Sequence, residues 1–168
     1  RFQPAILDGL FQQLELLLVT NNLQGIQLED LRESMGSFIG VGYMFLAIVL
    51  LILARWMQAS LFNPGGFQKE FHQLRIGQKT ALGLAGFIVL GSYQLLIPQS
   101  WVFYLILPLL FSGIGLVHAV VDNKKLSSLS LIAFYALLIV LPIVLQLIVL
   151  LALVDSWYDF RSRLQQST

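Results

Sequence analysis

Residues 34–54 read SMGSFIGVGYMFLAIVLLILA and hold no charged side chain. A helix needs roughly 20 apolar residues to cross about 30 Å of hydrocarbon, so this stretch is long enough. Two further runs resemble it. Between Thr80 and Val121 the one side chain that titrates near neutrality is His118, and Leu126 to Val154 carries no charge. Pro98, Gln99 and Ser100 interrupt the first of these with turn formers. The expectation is an all-α, polytopic transmembrane helical bundle of about four spans, near 36–58, 79–97, 101–121 and 127–154. These lie in a membrane domain at 35–158, and a short polar tail follows at 159–168.

Composition agrees. The chain is 57% hydrophobic and 11% charged, with a mean hydropathy of +0.80. A soluble domain carries about 25% charged residues, so a surface this poor in charge needs lipid over part of it. A buried soluble core would need a large amphipathic shell, and too few other residues remain to build one. Trp56, Trp101 and Trp157 fall near the expected boundaries, where an aromatic belt sits. The net charge of +1 supplies no field for nucleic acid, and no basic patch is interleaved with aromatics. The absence of cysteine excludes disulfides, thiolate metal sites and cysteine nucleophiles. Arg1-Phe2-Gln3-Pro4 reads like the middle of a longer protein.

Residues 1–34 are less apolar. Ile6, Leu7, Leu10, Phe11, Leu14, Leu17 and Leu18 recur at helical spacing, with Asp8, Gln12, Gln13 and Glu15 on the other face. This predicts an amphipathic helix that breaks at Asn21-Asn22 or Gly25. Its polar face is acidic, so packing against protein is expected over attraction to anionic lipid.

Lys and Arg accumulate on the cytoplasmic side. Arg55, Lys69, Arg75 and Lys79, then Lys124 and Lys125, place the 59–78 and 122–126 loops there. Parity of four spans then puts the C-terminus outside, against the weak counter-signal of Arg161 and Arg163.

Polar groups inside lipid must find partners. Tyr93, Gln94, Ser112, His118, Tyr135 and Gln146 fall within the expected spans, and of these Tyr93, Gln94, Tyr135 and Gln146 are the candidates for a ligand pocket or for interhelical hydrogen bonds. His118 lies one turn before Asp122, and a proton relay or a metal ligand is weighed there against a histidine bonded to a nearby carboxylate. With no third ligand the latter is expected, and His72 receives the same reading. Gly36, Gly40 and Gly42, then Gly83, Gly86 and Gly91, predict close-packed helix faces. Pro142 predicts a kink. Asn63, Pro64, Gly65 and Gly66 spell a turn. Phe67, Phe71 and Arg75 then lie on a short amphipathic helix expected to dock a partner. Asp155, Asp159 and Arg161 are expected to form ion pairs at headgroup level. No catalytic motif, metal site or cofactor fingerprint is present, so neither enzymatic activity nor a cofactor is expected.

Two stretches together carry a resemblance: Ala54-Arg55-Trp56-Met57-Gln58-Ala59 running into Asn63-Pro64-Gly65-Gly66-Phe67, and Asp155…Asp159-Phe160-Arg161. From about residue 35 to 164 the chain resembles the C-terminal half of the YybS-like family of bacterial multi-pass membrane proteins. The resemblance implies further helices upstream. It also implies a fold similar to the substrate-binding S components of energy-coupling-factor transporters. The expected function is therefore a small-molecule-binding or transport-type subunit of the bacterial inner membrane, in contact with lipid and other membrane subunits. The alternative is an accessory or scaffold subunit with no ligand of its own.

Overall fold

The computed structural model describes residues 5–20, 28–95 and 97–166. Its described residues form helices α1 (Ala5–Thr20), α2 (Leu28–Phe62), α3 (Gly66–His72), α4 (Gln78–Ser92), a 3-10 turn (Gln99–Trp101), α5 (Val102–Asn123), α6 (Ser128–Val140), α7 (Pro142–Tyr158) and α8 (Phe160–Gln166). The chain divides into two compact units, Arg1–Leu46 and Ala47–Thr168, and α2 begins in the first and ends in the second.

In the first unit the expected amphipathic helix is α1. Phe11 is buried, whereas Leu14 and Leu17 are exposed, so the predicted apolar face is only partly covered. Thr20 closes the helix by donating its hydroxyl to the Leu16 carbonyl at 2.6 Å. The break expected at residues 21–25 lies outside the described residues.

The second unit is built around α5. Leu107, Leu109, Leu110, Phe111, Ile114 and Leu116 are buried, and α4 and α7 flank that helix. Two glycines let neighbours approach it. A Cβ on Gly113 would sit 2.7 Å from the Ile148 carbonyl of α7, and one on Gly115 would sit 2.7 Å from the Phe71 carbonyl at the end of α3. Real Cβ atoms do not reach that distance, so both close contacts require glycine. The small residues singled out earlier behave differently: Gly36, Gly42, Gly83 and Gly86 meet open space, and Gly91 meets Val102 and Ile97.

The predicted turn at 63–66 is present. Gly65 takes the left-handed conformation at φ 82°, which suits a residue without a Cβ, and the Gly66 N–H donates to the Asn63 carbonyl at 2.9 Å. Arg55 at the end of α2 then holds α3 through a two-pronged ion pair with Glu70, the Nε–Oε2 distance being 2.7 Å.

Two helices are long and apolar enough to cross a membrane, Ser34–Phe62 and Gln99–Asn123, and a third span exists if the bent pair α6–α7 counts as one. The expected span at 79–97 is a helix of 15 residues ending at Ser92. At 1.5 Å per residue it is roughly 22 Å long, because Gln94 turns left-handed at φ 53° and stops it. The expected span at 127–154 is two helices bent by 114°. Pro142 disfavours helical backbone at the residue before it, and Leu141 is extended at φ −116°, ψ 101°. What reads as a kink is a bend past a right angle.

Candidate functional site

The end of α7 meets the segment joining α3 and α4. There Asp155, Ser156 and Arg161 are all buried, Arg161 being 8% exposed and Asp155 fully enclosed. Arg161 donates from Nη1 to the Leu74 carbonyl at 2.6 Å and from Nη2 to the Ser112 carbonyl at 2.8 Å. Its Nε stands 3.3 Å from Asp155 Oδ2, at ion-pair range, although neither atom completes a hydrogen bond. Asp155 Oδ1 accepts the Phe160 N–H at 2.9 Å. Ser112 adds a second donor to the Leu74 carbonyl at 3.2 Å.

Arg75 lies beside this knot. Its Nη2 donates to the Ser156 carbonyl at 2.9 Å, and its Nη1 is 2.7 Å from Asp159 Oδ2. Two arginines and two aspartates therefore tie three elements together: the 73–77 segment, α5, and the α7–α8 corner. Asp159 makes that corner by adopting φ 48°, a conformation that Asp tolerates better than most residues. Burial depresses the pKa of Arg161 and the Asp155 carboxylate opposes the effect. A guanidinium stays protonated regardless, so two permanent positive charges in the knot face two carboxylates.

An open groove of about 500 Å³ adjoins the knot, lined by Arg75, Gly77, Gln78, Lys79, Thr80 and Ser156. Lys79 is a cation with no carboxylate bonded to it in the described structure. The groove offers the Lys79 ammonium, the Thr80 hydroxyl and the amide groups at the start of α4, which favour a negatively charged guest; Arg75 is already paired with Asp159 and the Ser156 hydroxyl with the Ala152 carbonyl.

A second cluster lies where α3, α5 and α6 meet. His118 Nε2 and the Tyr135 hydroxyl are 2.8 Å apart. Phe71 packs edge-on against His118 with ring centroids 5.4 Å apart, and His72 stands 6.5 Å from His118 by the same measure. His72 Nδ1 lies 3.6 Å from Asp122 Oδ2. Burial lowers the pKa of His72, Asp122 opposes this, and Arg161 adds a smaller depression.

The residues proposed from sequence for a polar pocket do not converge. Tyr93 is 74% exposed at the end of α4. Gln94 reaches only Gln99, at 3.5 Å in the same turn. Gln146 is exposed on α7, and Tyr135 is engaged by His118. None of the four lines the groove. The docking face is also redirected, since Phe67 stacks on Phe71 at 5.6 Å and Phe71 turns to His118 on the chain's own α5. Asp155, Asp159 and Arg161 do form ion pairs, but the Asp155–Arg161 pair is buried rather than exposed. Sequence reading missed Lys79 as a lining residue and the ties from Arg161 to the Leu74 and Ser112 carbonyls, because nothing in local spacing links residue 74 to residue 161. Among the described residues no group of three or more His, Asp or Glu side chains is arranged to hold a metal. No family model, curated protein or solved structure matches the chain.

Proposed function

We propose that the second unit is a membrane-embedded binding subunit for a small anionic molecule, of transport type and without catalytic activity, in the bacterial inner membrane. The observation that carries the reading is the knot of Arg161, Asp155, Arg75 and Asp159 set beside the groove. Ser112, to which Arg161 is tied, lies halfway along α5, roughly 15 Å by helical rise from either end. With α5 crossing the bilayer, charges stand deep in an apolar layer, where ionisable groups are costly and mark functional sites. Structural pairing accounts for Arg161 and Asp155. It leaves Lys79 without a bonded carboxylate, facing a groove.

The topology that goes with this reading has α2 and α5 as full spans, α4 as a short one, and α6–α7 as a re-entrant pair that starts and ends on one side. The hydrogen bond from Arg75 to Ser156 places the end of α7 at the same end as the 59–78 loop. Arg163 then joins Arg55, Lys69, Lys124 and Lys125 on the cytoplasmic side, with the Arg161 side chain reaching inward from it, which satisfies the positive-inside rule where a parity of four straight spans did not. The resemblance to the YybS-like family, with its S-component-like fold, supports the same assignment by analogy.

The test is native mass spectrometry and calorimetry on the full-length protein in mild detergent, with a panel of small phosphates and carboxylates. Saturable binding that weakens at least tenfold in Lys79→Ala is the expected result. A panel without a binder, together with a stoichiometric protein partner retained through purification, overturns the reading in favour of a scaffold subunit.

A further inference from the structure

Arg75 is shared between the knot and the groove. It lines the groove, yet its Nη1 lies 2.7 Å from Asp159 Oδ2 and its Nη2 donates to the Ser156 carbonyl. The two ion pairs of the knot are held unequally. The Asp155–Arg161 pair is buried, whereas the side chains of Arg75 and Asp159 are 27% and 41% exposed. A pair open to solvent is weak. Arg75 is also incompletely bonded, since its Nε is enclosed and meets no acceptor. A guanidinium with one donor idle gives up less on moving than one with every donor used.

The cations among the lining residues are Lys79 and Arg75. A guest with a single negative charge is matched by Lys79 and leaves Arg75 with Asp159. A second negative charge has Arg75 left to meet, and it comes close to the carboxylate that already holds that cation. Like charges repel, and the part-exposed Asp159 can turn to water. We propose that Asp159 is the groove's built-in counter-ion, which a guest group of two negative charges displaces from Arg75. The inference deepens the binding reading above and rests on it. Displacement moves a defined contact. The Ser162 N–H of α8 donates to Asp159 Oδ1 at 3.3 Å, so that amide loses its acceptor when the carboxylate turns away. Arg161 still holds the Leu74 and Ser112 carbonyls, so the corner loosens while the rest of the knot stays tied.

Full-length protein in phosphatidylcholine nanodiscs is titrated at pH 8 with inorganic phosphate, mostly doubly charged there, and with dimethyl phosphate, singly charged. Calorimetry reads binding, and hydrogen exchange reads the Ser162 amide. Phosphate is expected to raise exchange at Ser162 severalfold, and dimethyl phosphate to leave it unchanged. In Asp159→Asn, where asparagine keeps both the left-handed corner and an acceptor for Ser162, phosphate binds severalfold tighter and produces no step. A free phosphate and the phosphomonoester headgroup of a lipid share this chemistry. Nanodiscs containing phosphatidic acid separate them, since a step present before phosphate is added assigns the site to the lipid. Phosphate that binds without moving Ser162, the same step in Asp159→Asn, or an equal step with dimethyl phosphate overturns the proposal and leaves the binding reading standing. A protein that takes neither phosphate nor phosphatidic acid overturns the proposal too, and the wider panel then decides the binding reading.

Discussion

Arg161 Nη1 donates to the carbonyl of Leu74 at 2.6 Å, across 87 positions of sequence. The same guanidinium reaches Ser112 and Asp155, so one side chain joins the α3–α4 segment, α5 and the α7–α8 corner. Breaking a buried ion pair by removing one partner typically costs 3–5 kcal/mol, because the other charge is left without compensation. Arg161→Ala is therefore expected to destabilise by about 3 kcal/mol or more. Asp159→Asn, whose carboxylate is 41% exposed, should cost at most about 1 kcal/mol, as solvent screens that pair. Thermal unfolding in detergent compares the two, and equal losses would count against a buried knot.

The glycines on α5 make a sharper contrast. Gly115→Ala forces a methyl group against the Phe71 carbonyl, and overpacking of this kind typically costs about 1–3 kcal/mol. Gly83→Ala on α4 adds a methyl group in open space and removes glycine's helix penalty, so it should be neutral or stabilising by up to about 1 kcal/mol. Measured melting shifts of opposite sign support this packing; a tolerated Gly115→Ala refutes it.

Acid should weaken the fold through His72. Its pKa in the folded protein lies below the ordinary value of about 6.5, with burial as the main cause and Asp122 in opposition. The unfolded chain then binds more protons over that interval, so stability is full above about pH 6.5 and declines as pH drops below it. Asp122→Asn removes the opposing carboxylate and should steepen the decline. Chemical denaturation at pH 5 and pH 7.5 reads the difference, and a His72→Gln protein with an unchanged pH dependence would rule His72 out as the source.

The proposed re-entrant topology is open to labelling because the chain has no cysteine. Single substitutions Ser60→Cys and Ser162→Cys should react with a membrane-impermeant maleimide from the same side of oriented vesicles. Labelling from opposite sides would restore the four straight spans.

How far the sequence reached differs from element to element. The long charge-free runs announced α2 and α5 because lipid demands uninterrupted apolar length, which is a local property. Asn63-Pro64-Gly65-Gly66 announced its turn for an equally local reason. Pro142 marked the position of the α6–α7 break but not its 114° angle. The site was harder to see. Asp155, Asp159 and Arg161 stood out as charges at a helix end, yet their partners are main-chain carbonyls at Leu74 and Ser112, and a carbonyl has no sequence signature. His72 and His118 were each weighed alone, since only the packing of α3 on Gly115 makes them neighbours.

The left-handed corner at Asp159 also bears on how the protein is made. It turns the chain so that Arg161 reaches back to acceptors at residues 74 and 112, both synthesised much earlier. While α4 and α5 are being made, the Leu74 carbonyl still lacks its guanidinium. The fastening of these elements by Arg161 therefore waits on translation of the α7–α8 corner.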